Sequence, residues 1–305
     1  MIFELASILI ASIPTSITPQ ACSKISHEYC IDQPLIPIIQ VEEICPIGFT
    51  SSIDRSGKIN LAPYSFHNAF SSNPPIVGIS PAYSGKTGKI KNTLSNILDT
   101  KEFTLSVVNF DMVEQMNICA ADFPKDINEF EKSGLTPNES KIISVPGVSE
   151  SPMILECKFI QHIEFDNKPG SGNLILGEVV YFHANKNVVL DSGSIDPIKM
   201  DQVSRLGMNW YSRANLGLFE LSAPKNIPIG VDSLPDTVIK HPAFTGKLLV
   251  RLASVTEIPK EETTSELIET YSRLSIDEKL KIAATLTENG KILEAWEILH
   301  LAKII

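Results

Sequence analysis

Two runs, "MILECKFIQHIEF" and "NLILGEVVYFHAN", constrain this chain more than any other feature. Each is a long β candidate, rich in the branched and aromatic residues that suit a pleated surface. The octet between them, "DNKPGSGN", is made of turn formers. A domain built around two such segments is dominated by a sheet. Gly170-x-Gly172 within the octet invites a dinucleotide-binding reading, but that fingerprint needs a strand, a glycine turn and then a helix. Here the sixth position is Ile175 and strand-like residues follow, so the reading is rejected.

Shorter strand candidates come earlier: "IGFTSSI", "INLAPYSF", "PPIVGIS" and "EFTLSVVNF". "DRSGK" separates the first two as a turn, with Gly57 suited to positive φ. Pro63 moves the second toward a sheet edge or a bulge. "NTLSNILDT" predicts a helix with Leu94, Ile97 and Leu98 on one face. "DMVEQMNICAA" predicts another, with Asp111 as N-cap and Glu114 completing a capping box. Short helices are inserted among strands, without regular alternation of strand and long helix. That order favours a mainly β fold over a doubly wound sheet. The expected architecture is a split antiparallel β-barrel with accessory helices, whose closure hides strand edges.

The last part of the chain differs. From about residue 261 the pattern is helical. Thr263 with Glu266, and Ser275 with Glu278, match the capping box. Gly290 separates the second helix from the third. Leu267, Tyr271 and Leu274 form one apolar face, and Leu293, Trp296 and Leu299 another. This tail is either an appendage packed on the barrel or an interaction or dimerisation module. The expected division is an N-terminal extension (1–44), a barrel domain (45–255) and a helical C-terminal tail (256–305).

Composition excludes several classes. With 43% hydrophobic and 20% charged residues the chain reads as an ordinary soluble globular protein. A net charge of −10 disfavours nucleic-acid binding. The five cysteines are Cys22, Cys30, Cys45, Cys119 and Cys157. An odd number with no Cys-x-x-Cys pair points to a reducing, cytoplasmic compartment and to no metal site. The apolar start, "MIFELASILIASI", carries Glu4, has no positive flank and is too short to span a bilayer. A buried strand or helix is expected there, and no membrane insertion. No Ser-His-Asp set or pair of catalytic acids emerges from the spacing.

The stretch "SGKTGKIKNT" ends like a P-loop and carries three lysines in six positions. A P-loop needs glycine where Ser80 stands, and a helix directly after Lys-Thr, where Gly88 intervenes. The helix begins later, with Asn92 or Thr93 as N-cap. A helix start with Lys86, Lys89 and Lys91 nearby suits a small phosphate. The alternative is a lysine-rich loop that binds nothing.

"PIGFTSSID", "GKINLAPYSFHNAFSSNPPIVGIS" and "KNTLSNILDTKEFTLSVV" follow one another, then "EFEKSGLTP", "SPMILECKF", "LILGEVVYFH" and "RLGMNWYSR". This ordered set resembles the flavin-reductase-like family of FMN-binding split barrels, which includes flavoredoxins and NAD(P)H:flavin oxidoreductases. The resemblance covers roughly residues 45 to 220. The sequence departs from the family pattern at Cys45 (usually Arg), Phe49 (usually Trp), Asn92 (usually Asp) and His67 (often Phe).

The resemblance implies bound FMN, and the residue types suit it. A flat ring with a phosphate tail needs an apolar slot, amide partners, and hydroxyl or cationic groups. Thr50, Ser51 and Ser52 offer hydroxyls, Ser65, Phe66 and Asn68 approach the ring, and Lys91, Asn92 and Thr93 take the phosphate. Asn60 and Ser80 complete the expected cofactor set, while Asn60 has the alternative of satisfying a bulge. His183, Arg205 and Tyr211 are substrate-side candidates, although a histidine near a strand end is more often simply packed. The implied activity is hydride or electron transfer from NAD(P)H, or another donor, through flavin in a homodimer. The alternative is a non-catalytic flavin-binding or electron-relay module whose helical tail recruits a partner.

Overall fold

The computed structural model describes residues 47–206, 209–221, 223–261 and 265–304. The expectations for residues 1–44, Cys22, Cys30, Cys45 and the Thr263 cap lie outside these residues, as do the side chains of Glu266 and Leu267. The chain divides into two compact units, with the boundary between Leu218 and Phe219.

The first unit opens with four strands: β1 (Gly48–Ile53), β2 (Ile59–Tyr64), β3 (His67–Ser72) and β4 (Pro75–Ile79). Helix α1 (Asn92–Thr100) leads into β5 (Glu102–Val107). A 3-10 turn and the short helices α2 (Val113–Ile118) and α3 (Glu129–Ser133) follow. The small ribbon β6 (Pro137–Asn138) and β7 (Gly147–Val148) precedes the two long strands β8 (Met153–Glu164) and β9 (Asn173–Ala184). Helix α4 (Pro197–Met200) and a second ribbon, β10 (Val203–Arg205) with β11 (Tyr211–Arg213), complete the unit.

Seven strands form one sheet in the order β2-β1-β5-β8-β9-β4-β3, and every pairing is antiparallel. The two long β candidates are β8 and β9, at its centre. Pro63 sits on the edge strand β2, as its missing N–H requires. The other edge, β3, was absent from the sequence reading.

Connectivity forces this sheet to curl. Tyr64 ends β2 and His67 begins β3, so their Cα atoms lie at most about 11 Å apart. In a flat sheet the first and seventh strands would stand about 29 Å apart. The edges must therefore swing toward each other, giving an open, split barrel. Two bulges between β8 and β9, at Glu156/Cys157 and Phe159/Gln161, add bend and twist where the curl needs them.

One apolar cluster packs on one face of the sheet: Phe103 and Leu105 from β5, Leu155 and Cys157 from β8, and Ile175 and Val179 from β9. Helix α1 contributes Leu94 and Ile97 to it, and Leu98 packs alongside. Gly177 permits this packing, because a Cβ there would come within 2.5 Å of the Phe103 ring. A second cluster covers the other side of β1 and β2, where Phe49 and Leu61 meet Met116, Phe130 and Val148.

Two local expectations need correction. The N-cap of α1 is Lys91, not Asn92 or Thr93, and no side chain caps it. The Thr93 hydroxyl is instead turned inward to accept from Asn60. Before α2 the capping residue is Asn109, whose side chain accepts from the Met112 amide, so Asp111 lies inside the turn.

The second unit is helical: α5 (Asp236–Ile239), α6 (Gly246–Leu252), α7 (Ser265–Tyr271), α8 (Ile276–Glu288) and α9 (Ile292–Leu301). Its apolar cluster already includes Leu234, Val238 and Phe244, so the helical part begins well before residue 256. The Pro-rich spacing of 224–242 hides these short helices from periodicity. The Ser275/Glu278 capping box forms as expected, and Gly290, at φ 77°, turns the chain between α8 and α9. Trp296 is fully buried and donates its Nε1–H to the Leu252 carbonyl at 3.0 Å. Leu293, expected beside it, is exposed.

Candidate functional site

A cavity of about 280 Å³ opens in the first unit where β2 and the β2–β3 link face the start of α1. Asn60 and Tyr64 line it from β2, and Ser65 and Phe66 from the link. Ser80, Tyr83 and Gly85 line it from the loop after β4, and Lys91, Asn92 and Thr93 from the start of α1. The far wall carries Cys119, Asp122, Phe123 and Glu129. Seven expected cofactor residues are thus brought together: Asn60, Ser65, Phe66, Ser80, Lys91, Asn92 and Thr93.

The helix start gives the cavity its polarity. Helix α1 runs nine residues and its N-terminus has no side-chain cap. The first amides of such a helix have no intrahelical acceptor, and they carry the positive end of its dipole. Asn60 Nδ2 donates to Thr93 Oγ1 at 2.9 Å, fixing that hydroxyl against β2. The Lys91 ammonium forms an ion pair with the Asp122 carboxylate. The preceding loop is not a P-loop. Gly88 N–H donates to the Ser84 carbonyl, Thr87 N–H to Ser84 Oγ and Lys89 N–H to Thr87 Oγ1, so these amides are used within the turn.

The far wall is a buried acidic corner. Glu129 is almost fully enclosed and accepts the Leu61 amide at 3.1 Å. Burial raises its carboxyl above the ordinary value, although the Leu61 hydrogen bond works the other way. Burial also pushes the Tyr64 phenol up to about 12, against a lowering hydrogen bond from Thr93 and with the Glu129 and Asp122 charges adding to the rise. The Cys119 thiol, near the Glu129 carbonyl at 3.7 Å, is pushed up to about 11, mainly by burial. It is therefore a neutral thiol at physiological pH.

The other expected residues lie elsewhere. Thr50, Ser51 and Ser52 are fully buried, because β1 is flanked by β2 and β5 and covered on both faces. Thr50 Oγ1 turns to the Gly48 carbonyl at 3.4 Å, and Ser52 Oγ accepts from Asn96 Nδ2 at 3.2 Å. The Thr50 and Ser52 hydroxyls secure β1 and α1 rather than lining the cavity, while Ser51 Oγ is buried without a hydrogen-bond partner among the described residues. Asn68 is exposed on the edge strand β3, its side chain accepting the Ala69 amide.

His183 is buried, its Nε2 2.7 Å from Glu156 Oε1. Glu156 also accepts the amides of Lys141, Ile142 and Ile143. Burial works to raise this carboxyl, but His183 and the three amides outweigh it and hold it below its ordinary value. His183 therefore helps to pin the 141–143 loop. Arg205 and Tyr211 face each other across the β10–β11 ribbon, with Arg205 Nη1 3.3 Å from the Tyr211 hydroxyl. None of these three lines the cavity.

Sequence reasoning missed Tyr83, Cys119, Asp122 and Glu129. Glu129 stands in "EFEKSGLTP", a segment quoted for family order rather than for chemistry.

Comparison with known proteins gives one consistent answer. Residues 45–197 match the family described as flavin reductase like domain. Uncharacterized protein YwrF of Bacillus subtilis is 36% identical over 171 residues, 55% of this chain and 82% of that protein. An uncharacterized protein of Aquifex aeolicus is 33% identical over 169 residues, 55% of this chain and 84% of that one. Among solved structures, nitrilotriacetate monooxygenase component B from Bacillus cereus is similar with a TM-score of 0.54 and 31% identity. The likeness covers 60% of this chain and 91% of that one. A split-barrel-domain protein from Shewanella frigidimarina gives 0.52 and 28%, covering 58% and 85%. With the curled antiparallel sheet and the matched segment in agreement, this chain belongs to the flavin-reductase-like family of split-barrel proteins.

Proposed function

We propose that the protein binds FMN in the cavity beside α1 and serves as an NAD(P)H-dependent flavin oxidoreductase. The observation that carries this reading is the uncapped α1 N-terminus, which opens into a cleft lined by hydroxyls, amides and one lysine. Those donors match a monophosphate. The backbone amides at the start of α1 would hold the phosphate together with Lys91 and the hydroxyls of Thr93, Ser80 and Ser65. Asn60 keeps the Thr93 hydroxyl oriented. Phe66, 72% exposed, offers an aromatic face at the mouth, where a planar ring can stack.

A flavin held there would supply the hydride- and electron-transfer chemistry; the protein's part would be binding, orientation and exclusion of water. Exposed Phe66 and Phe70, beside and on the edge strand β3, support a homodimer with the cavity near its interface.

The test is a titration of purified protein with FMN, followed by absorbance and flavin fluorescence, then anaerobic addition of NADH or NADPH. Quenched fluorescence, a perturbed flavin spectrum and bleaching on addition of the donor are expected. Flavin that binds but is never reduced by any donor would identify a carrier module instead. An unperturbed spectrum at every FMN concentration would remove the flavin reading altogether.

A further inference from the structure

We propose that Asp122 is a specificity-determining residue of this cavity, competing with the ligand's phosphate for Lys91 and so keeping the flavin exchangeable. The inference rests on the FMN reading above and concerns the same site. Among the described residues lining the cavity, Lys91 is the only lysine or arginine. Its ammonium is already engaged by the Asp122 carboxylate. A second carboxyl, Glu129, stands on the same wall.

A phosphate monoester carries about −1.5 to −2 charges at neutral pH. Entering at the start of α1, it meets favourable amides but must share Lys91 with Asp122. It also feels the repulsion of that carboxylate at close range, where screening is incomplete. Asp122 therefore subtracts from phosphate affinity without touching the rest of the flavin. A flavin lacking the phosphate, riboflavin, escapes this penalty. The arrangement suits a protein that takes up flavin, reduces it and lets it go, rather than one that keeps a prosthetic group. Asp122 is well placed for such tuning. Its side chain is 61% exposed, so it can be changed without opening a core.

The test compares FMN and riboflavin, each titrated by fluorescence quenching into the wild type, Asp122→Asn and Asp122→Ala. Freeing Lys91 and removing one repulsive charge should tighten FMN about two- to fivefold, the range of a solvent-screened charge pair, with riboflavin unchanged. Raised salt should shrink the FMN effect. A Lys91→Ala variant should weaken FMN, and adding Asp122→Ala to it should recover part of the loss. Equal shifts for the two flavins, or FMN unchanged in both Asp122 variants while the wild type binds it, overturn the inference but leave the FMN site standing. Failure of the wild type to bind either flavin overturns the site and the inference together. Thermal melts of each variant verify that folding is intact.

Discussion

At the residue scale, the acidic corner has a pH signature. Burial raises the Glu129 carboxyl in the folded state above its value in the unfolded chain. The folded state therefore holds this proton to a higher pH, and its contribution to stability is complete only below the unfolded value. As pH rises through the folded value, that contribution is lost, because a charge must then sit where water is excluded. Glu129→Gln keeps the group neutral and can still accept the Leu61 amide. Thermal melts should show the variant more stable than the wild type at pH 8, with the gap closing by pH 4. A gap that stays constant across that range would show that ionisation of Glu129 is not the cause. Residue identity alone did not reveal this role, because a glutamate in a charged segment normally reads as solvated. The opposite error occurred at Thr50, Ser51 and Ser52. Three successive hydroxyl residues look like a ligand-binding row, yet a strand covered on both faces buries all three, and only Thr50 and Ser52 find hydrogen-bond partners.

At the scale of elements, α1 illustrates a conflict between stability and binding. An extended Lys91 occupies the N-cap and leaves the first amides unsatisfied by side chains. Lys91→Ser would supply the missing acceptor, stabilising the helix by about 0.5–2 kcal/mol. The same hydroxyl would occupy the amides that the proposed phosphate site uses, and the cation would be gone. The expected outcome is a higher melting temperature together with weaker FMN binding, measured on one preparation by thermal denaturation and fluorescence quenching. Loss of both stability and affinity would show that Lys91 supports the fold instead.

The helix itself was legible in the sequence, because Leu94, Ile97 and Leu98 recur at helical spacing. Strands β1, β2, β4, β5, β8 and β9 were legible for the corresponding reason, runs of branched and aromatic residues. Strand β3 was not, since "HNAFSS" is an edge segment with little to bury. Asp122 was equally hidden: its partnership with Lys91 spans 31 residues and depends on tertiary structure alone.

On the scale of the whole molecule, the two tryptophans divide the spectroscopy. Trp210 lies in the first unit and is 72% exposed, whereas Trp296 lies in the second and is fully buried. Trp210→Phe should leave a blue-shifted emission that reports only the helical unit. Trp296→Phe should leave a red-shifted one and weaken the helical cluster, since the Leu252 carbonyl loses its donor. Urea titrations of the two variants, read by emission wavelength, would reveal whether the units unfold together. Identical emission maxima in the folded variants would contradict the assigned burial.

The split in the barrel carries a final consequence. Its rims, β2 and β3, are stitched by Ser65 and Phe66, and both of those residues line the cavity. Whatever molecule settles there also acts as a rivet across the gap. Occupancy should therefore slow amide exchange along both rims at once, so that protection read strand by strand would mark a filled slit.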